Sequence, residues 1–250
     1  MNDWVAKARR VGRPYRFCVE TRFSDSLLPR SGIYYSESMK LHNYFRSGTS
    51  HRVRIALRLK GLTAEYLPVD LRAGQQLGAE FTALNPQRLV PALEHEGRVL
   101  IQSPAIIEWL EERYPTPALL PANPDERARV RALAAIIGCD IHPLNNKRVL
   151  DSLRRQFGAD VAAINAWCAT WIGAGFDALE SLLAADRQRG TYCFGSTPTI
   201  ADVYLVPQVE SARRYSVDLA PWPTIRGIDM ACTQLDAFRL AAPALQPDAR

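Results

Sequence analysis

At 250 residues, with 47% hydrophobic and 23% charged side chains, the sequence has the make-up of a globule with room for a real core, and no apolar run approaches the roughly 18 residues that a membrane span needs. The formal net charge is +5, but residues 1–38 hold seven basic and four acidic side chains and so carry +3 of it; a nucleic-acid binder concentrates its charge on the folded domain, so neither nucleic acid nor membrane is an expected partner. The five cysteines (Cys18, Cys139, Cys168, Cys193, Cys232) are odd in number and lack a C-x-x-C pair, which argues against a disulfide framework and a zinc site and for small, reduced core residues in a cytoplasm.

Residues 1–38 differ in character from the remainder of the chain, with Arg pairs, Gly12, Pro14, Pro29 and Gly32 and no apolar stretch typical of a secretory signal. They are expected to be a dispensable, poorly ordered extension, with Met39 opening the first good strand. From there the elements alternate. A strand over 39–44 leads into a helix over 50–60, closed by Gly61. Leu67, Val69 and Leu71 have period two, predicting a strand over 64–71, and 75–84 is a weaker helix ending at Asn85-Pro86. Two apolar runs, 90–95 and 98–101, flank Glu96-Gly97 as a hairpin. Ser103-Pro104 opens a helix to about Tyr114, with Ser103 read as its N-cap. This β-α-β-α-β-β-α order predicts a small α/β layer domain over 39–118.

After a linker at 119–124 the pattern turns all-helical, giving a second domain over 125–250. Asn123-Pro124-Asp125-Glu126 has capping-box spacing, as has Thr199-Ile200-Ala201-Asp202. Helices are expected near 125–142, 147–156, 160–185, 199–214 and 223–240, followed by a polar tail. The run Arg52, Arg54, Arg58, Lys60 is read as a solvated helix face.

Four features bear on chemistry. The loop Ser47-Gly48-Thr49-Ser50 puts hydroxyls at a helix start, where free N–H groups favour an anion such as a thiolate. Val90-Pro91 opens a strand, and a cis bond there would turn the Val90 backbone toward a peptide ligand. Gln102-Ser103 at a helix N-terminus suits an α-carboxylate. Arg46, His142, Asn145, Asn146, Lys147, Arg148, Arg213 and Arg214 supply cations and amides; Arg46 directly precedes the hydroxyl loop, and arginine forks suit carboxylates.

Together these features resemble the glutathione transferases, zeta class. The run Ser47-Gly48-Thr49-Ser50-His51-Arg52-Val53-Arg54-Ile55-Ala56-Leu57 is similar to the zeta motif, Asn85-Pro86-Gln87 and Leu89-Val90-Pro91 to the stretch around the family's cis-proline, and Ile101 to Leu110 to the helix that holds the γ-glutamyl end of glutathione. Gly48 and Thr49 depart from the usual Ser and Cys. With Cys139-Asp140-Ile141-His142-Pro143-Leu144-Asn145-Asn146 downstream, the pattern looks like the glutathione-dependent maleylpyruvate isomerases of bacterial gentisate degradation.

The resemblance implies a thioredoxin-like N-terminal domain, a helical C-terminal domain and a homodimer. It implies glutathione as cofactor and a dicarboxylate as substrate, with maleylacetoacetate isomerases and transferases of α-halo acids as the alternatives. By the same resemblance Ser47, Thr49 and Arg46 are catalytic. Ser47, Gly48, Thr49, Gln76, Gln87, Val90, Gln102, Ser103, His142 and Asn146 would hold glutathione, and Arg46, Lys147, Arg148 and Arg214 the substrate. No metal is implied.

Overall fold

A computed structural model describes residues 39–187 and 189–249, which belong to one compact unit. The expectation for residues 1–38, and for Cys18 within them, lies outside the described residues.

Strand β1 (Met39–Asn43) leads to helix α1 (Gly48–Leu59) and the parallel strand β2 (Ala64–Pro68). Leu62 N–H returns to Leu57 O at 2.8 Å around Gly61, whose φ of 67° closes the helix in the expected way. The helix expected over 75–84 is interrupted. Gln75–Leu77 is a 3-10 turn, and Gly78 separates it from α2 (Ala79–Leu84). Strands β3 (Ala92–His95) and β4 (Arg98–Ile101) form the hairpin, with Glu96 and Gly97 both at positive φ. The sheet order is β2-β1-β3-β4, with β3 antiparallel to β1. Helix α3 (Ser103–Arg113) comes next. Its N-cap is Gln102 at φ 70°, not Ser103, because the chain turns into the helix one residue earlier than the Ser-Pro signal suggested.

The second half is helical: α4 (Pro124–Ala135), a π-helical turn (Ile136–Ile141), α5 (Lys147–Phe157), α6 (Val161–Ala185), α7 (Ile200–Arg214), α8 (Pro223–Thr233) and the short α9 (Asp236–Arg239). Thr199 caps α7 reciprocally with Asp202, whose carboxylate accepts from the Thr199 N–H at 2.7 Å and the Cys193 N–H at 2.8 Å. A continuous apolar core joins the halves: Val53 and Ile55 of α1, Ile106 and Leu110 of α3, and Val203 and Val209 of α7 are all buried in it. Among the described residues no helix is long and apolar enough to cross a membrane. Cys168, Cys193 and Cys232 are buried free thiols, whereas Cys139 is exposed rather than in the core.

Two expectations are corrected. Arg52, Arg54 and Lys60 are not solvated; only Arg58 of that run is exposed. Lys60 donates to Glu111 and to the carbonyls of Tyr114 and Pro117. Arg54 donates to the Ala241 and Phe45 carbonyls and to Asn43 Oδ1. The C-terminal segment, expected as a polar tail, crosses back onto the sheet domain. Asp248 accepts from the Phe45 N–H at 3.1 Å and from the Tyr66 hydroxyl, and Ala249 packs on the Tyr44, Phe45, Phe81 cluster. Phe45 precedes Arg46 and Ser47, so the end of the chain braces the hydroxyl loop. Asp248→Ala would strand a buried backbone donor, and is expected to cost about 2 kcal/mol. Denaturant unfolding measures that loss, and amide exchange at Phe45 should speed up with it; unchanged exchange would mean that the brace is incidental.

Candidate active site

The loop between β1 and α1 is set by Ser47. Its backbone is extended (φ −70°, ψ 120°) and its Oγ accepts from the Ser50 N–H at 3.2 Å, an ordinary N-cap. Ser47 Oγ also lies 2.9 Å from Thr49 Oγ1, and Thr49 Oγ1 donates to the Val90 carbonyl at 3.0 Å. Thr49 has one proton and spends it on Val90, so Ser47 must be the donor to Thr49. The relay Ser47 to Thr49 to Val90 therefore ties the helix start to the Val90-Pro91 turn, whose peptide bond is cis as anticipated. The Ser50 N–H is occupied by the cap, which leaves the N–H groups of Gly48 and Thr49 facing outward from α1.

These residues form one wall of a cavity of about 820 Å³. It brings together Arg46, Ser47, Gly48, Thr49, Gln76, Gln87, Val90, His142, Asn146, Lys147, Arg148 and Arg214. Gln102 is outside the lining and reaches it through its amide, which donates to Gln87 Oε1 at 2.5 Å. Ser103 is buried at the start of α3, also outside the lining, and its Oγ has no partner among the described residues. Arg213 points away and pairs with the buried carboxylate of Asp229 at 2.5 Å.

The opposite wall comes from the turn after the π-helix. Gly175 on α6 lets Ile141 seat there: a Cβ at 175 would lie 2.3 Å from Ile141 Cδ1. That packing sets His142 over Gly48, whose own Cβ position is 3.7 Å from the imidazole. Burial, with Arg52 and Arg214 nearby, pushes the His142 pKa down to about 3, so the ring is neutral at physiological pH. Its Nε2 has no partner among the described residues. The Trp167 indole donates to the Leu144 carbonyl at 2.9 Å and pins the turn to α6, and Asn146 caps α5 by accepting from the Arg148 N–H at 3.1 Å. Lys147 pairs with Asp151 at 2.5 Å, so part of its charge is already neutralised. Arg214 donates to the Arg46 carbonyl at 3.2 Å, bringing two guanidinium-bearing residues to one edge.

Sequence reasoning missed much of the lining. Arg52, Arg72, Arg88, Arg154 and Arg155 also face the cavity, giving, among the described residues, nine basic side chains against the carboxylate of Asp151. Asn145, which the sequence did single out, is buried and also lines it, with both amide atoms unpartnered among the described residues. The sequence shows these only as scattered charges; their convergence depends on how α5 and α7 meet the sheet domain. The arrangement can hold a multiply charged anion against a helix start rich in hydrogen-bond donors.

A thioredoxin-like layer with a hydroxyl-capped helix start, roofed by helices over a cationic cavity, is the build of the glutathione transferases. Residues 46–113 match the model for the glutathione S-transferase N-terminal domain, and residues 162–245 that for the C-terminal domain. The chain is 70% identical over 210 residues to a maleylpyruvate isomerase of Ralstonia sp, covering 84% of this chain and 99% of that one. It is 52% identical over 213 residues to a maleylacetoacetate isomerase of Pseudomonas aeruginosa, covering 84% and 98%. A holo structure of maleylpyruvate isomerase, described as a bacterial zeta-class glutathione S-transferase, superposes with a TM-score of 0.84 at 69% identity, covering 84% of this chain and all of that one. The chain belongs to the glutathione S-transferase family, zeta class.

Proposed function

We propose that this chain is a glutathione-dependent cis–trans isomerase that converts maleylpyruvate to fumarylpyruvate, a step of gentisate degradation. The observation that carries it is the cavity: a hydroxyl-capped helix start on one wall and nine cations around it. The 70% identity to a maleylpyruvate isomerase favours that substrate over maleylacetoacetate.

Glutathione suits the residues present. Ser103 Oγ, Gln76 Oε1 and His142 Nε2 are buried hydrogen-bonding atoms without protein partners, and such groups are costly unless a ligand or water satisfies them. Gln76, Gln87, Val90, Gln102 and Ser103 would hold the tripeptide from the sheet domain, and His142 and Asn146 from the helical side. The chemistry that glutathione supplies when bound is a nucleophilic sulfur for reversible addition across the cis double bond, which leaves a rotatable single bond.

The chain's own groups do the rest. Ser47 would donate its hydroxyl to the sulfur in place of Thr49, with its oxygen held by the Ser50 N–H and Thr49 tied to Val90. The N–H groups of Gly48 and Thr49 add the positive end of α1. Neutral His142 offers a hydrogen bond without acting as an acid at neutral pH. Arg46, Arg148 and Arg214 clamp the two carboxylates and hold the substrate's ends in place during rotation. Arg148 is the better third cation, since Lys147 is paired with Asp151. Residues 39–118 and 125–250, joined by 119–124, are the two domains in this proposal, and the protein is a cytoplasmic homodimer.

The test is a side-by-side assay on maleylpyruvate and maleylacetoacetate, with and without glutathione, following trans product and free thiol. Isomerisation that requires glutathione, consumes none and runs faster on maleylpyruvate is the expected result. Preference for maleylacetoacetate would move the protein to tyrosine breakdown. Net thiol loss would make it a conjugating transferase, and no turnover of either acid would end the proposal.

A further inference from the structure

A second set of polar groups lines the cavity, and none of it belongs to the residues given roles so far. Arg52 is 2% exposed, yet its guanidinium faces no carboxylate among the described residues. It lies over the Tyr204 ring, with Cζ 4.1 Å from the centroid, and its Nε has no hydrogen-bond partner among the described residues. One helical turn beyond Tyr204 on α7, Gln208 is equally buried, lines the same cavity, and leaves its amide Nε2 unpartnered.

A buried cation without a counter-charge is one of the most expensive things a fold can carry. An aromatic face recovers only part of that cost. Among the other described residues Lys60 has Glu111 and two carbonyls, and Arg54 has four oxygen acceptors. Arg52 differs from them in opening onto the cavity. Burial holds its pKa down at about 10, so it is still charged at neutral pH.

We infer that Arg52 and Gln208 form an anion-binding floor of the cavity, whose ligand is a carboxylate of the bound substrate. Tyr204 orients the guanidinium so that its nitrogen edge stays free for the ligand, and Gln208 adds an amide donor beside it. Arg46 and Arg214 lie on the cavity's edge and are more exposed than Arg52, which works where less water reaches and each charge-assisted bond is stronger. The floor rests on the cavity being a dicarboxylate site, so the test separates the two claims.

The probe is malonate, titrated calorimetrically into the full-length protein saturated with glutathione. Wild type should bind it; failure would overturn both the floor and the isomerase assignment. In Arg52→Met, affinity for malonate should fall at least tenfold, and in Gln208→Met severalfold. In turnover, KM should rise while kcat changes less, the opposite of general damage to the fold. The melting temperature of ligand-free Arg52→Met should stay level or rise, because an uncompensated buried charge is gone. Unchanged malonate affinity in a folded Arg52→Met protein would overturn the floor while leaving the isomerase assignment standing. Should Arg52→Met fail to fold, Gln208→Met, which changes no charge, decides by the same criterion.

Discussion

Ser47→Ala is expected to lower kcat about a hundredfold and to destabilise the fold by about 1 kcal/mol. The two effects have separate causes. Ser47 Oγ accepts from the Ser50 N–H and so caps α1. It also carries the proton that points at Thr49 and would turn to the sulfur. Alanine removes both. Ser47→Gly removes only the second at full strength, because glycine is a tolerable N-cap and costs a few tenths of a kcal/mol. The glycine variant should therefore melt close to wild type and yet be as slow as the alanine variant. Thr49→Ala should fall between wild type and both. It keeps the Ser47 hydroxyl but cuts the tie to the Val90 carbonyl, so the donor is present and less well aimed. Steady-state kinetics and thermal unfolding on the same preparations check all three. A Ser47→Gly enzyme with wild-type kcat would mean that the helix start alone supplies the donors, and that Ser47 is only a cap.

That separation is half visible in the sequence. Ser47 and the Gly61 stop, at the two ends of α1, depend on neighbours within a few residues, and local chemistry places such features well. The Glu96-Gly97 hairpin and the Thr199–Asp202 box are legible for the same reason. What stays hidden is non-local. Arg52 and Arg54 read as surface because charged residues on a helix usually are, and nothing nearby contradicts that. The Tyr204 ring under Arg52 and the Ala241 carbonyl on Arg54 lie far along the chain, the second 187 residues away, and the nearer Asn43 and Phe45 oxygens meet Arg54 only once β1 and α1 pack. The C-terminal brace is of the same kind, since Asp248 meets Phe45 across 203 residues. The N-cap of α3 is misplaced by one because Gln102 takes a positive φ that its residue type does not announce. Within the site, motifs pick out the hydroxyl loop and the Val90 turn; the further cations that close the cavity belong to no motif and emerge only when the helices pack.

Arg46→Ala should lower kcat/KM for the dicarboxylate by between tenfold and a hundredfold. The loss follows from removing one charge-assisted pair, about 1.5–3 kcal/mol, at roughly 1.4 kcal/mol per factor of ten. Arg46→Lys keeps the charge without the two-donor fork and should recover only part of the rate. Arg46 also sits where Arg214 donates to its carbonyl; burial first, and then repulsion from Arg46, hold the Arg214 pKa below its usual value. Two cations that repel across the rim of one cavity are arranged for an anion that arrives from outside. Nine basic side chains around one cavity should also draw that anion in, so kcat/KM should fall as ionic strength rises. The Arg46→Ala enzyme, with one cation fewer at the rim, should show a shallower salt dependence. Arg239, paired with Asp236 and outside the cavity, is the control: its replacement by alanine should alter neither kcat/KM nor the salt slope. If Arg46→Ala and Arg239→Ala behave alike, Arg46 does not touch the substrate, and the clamp would have to be rebuilt from Arg148 and Arg214 alone.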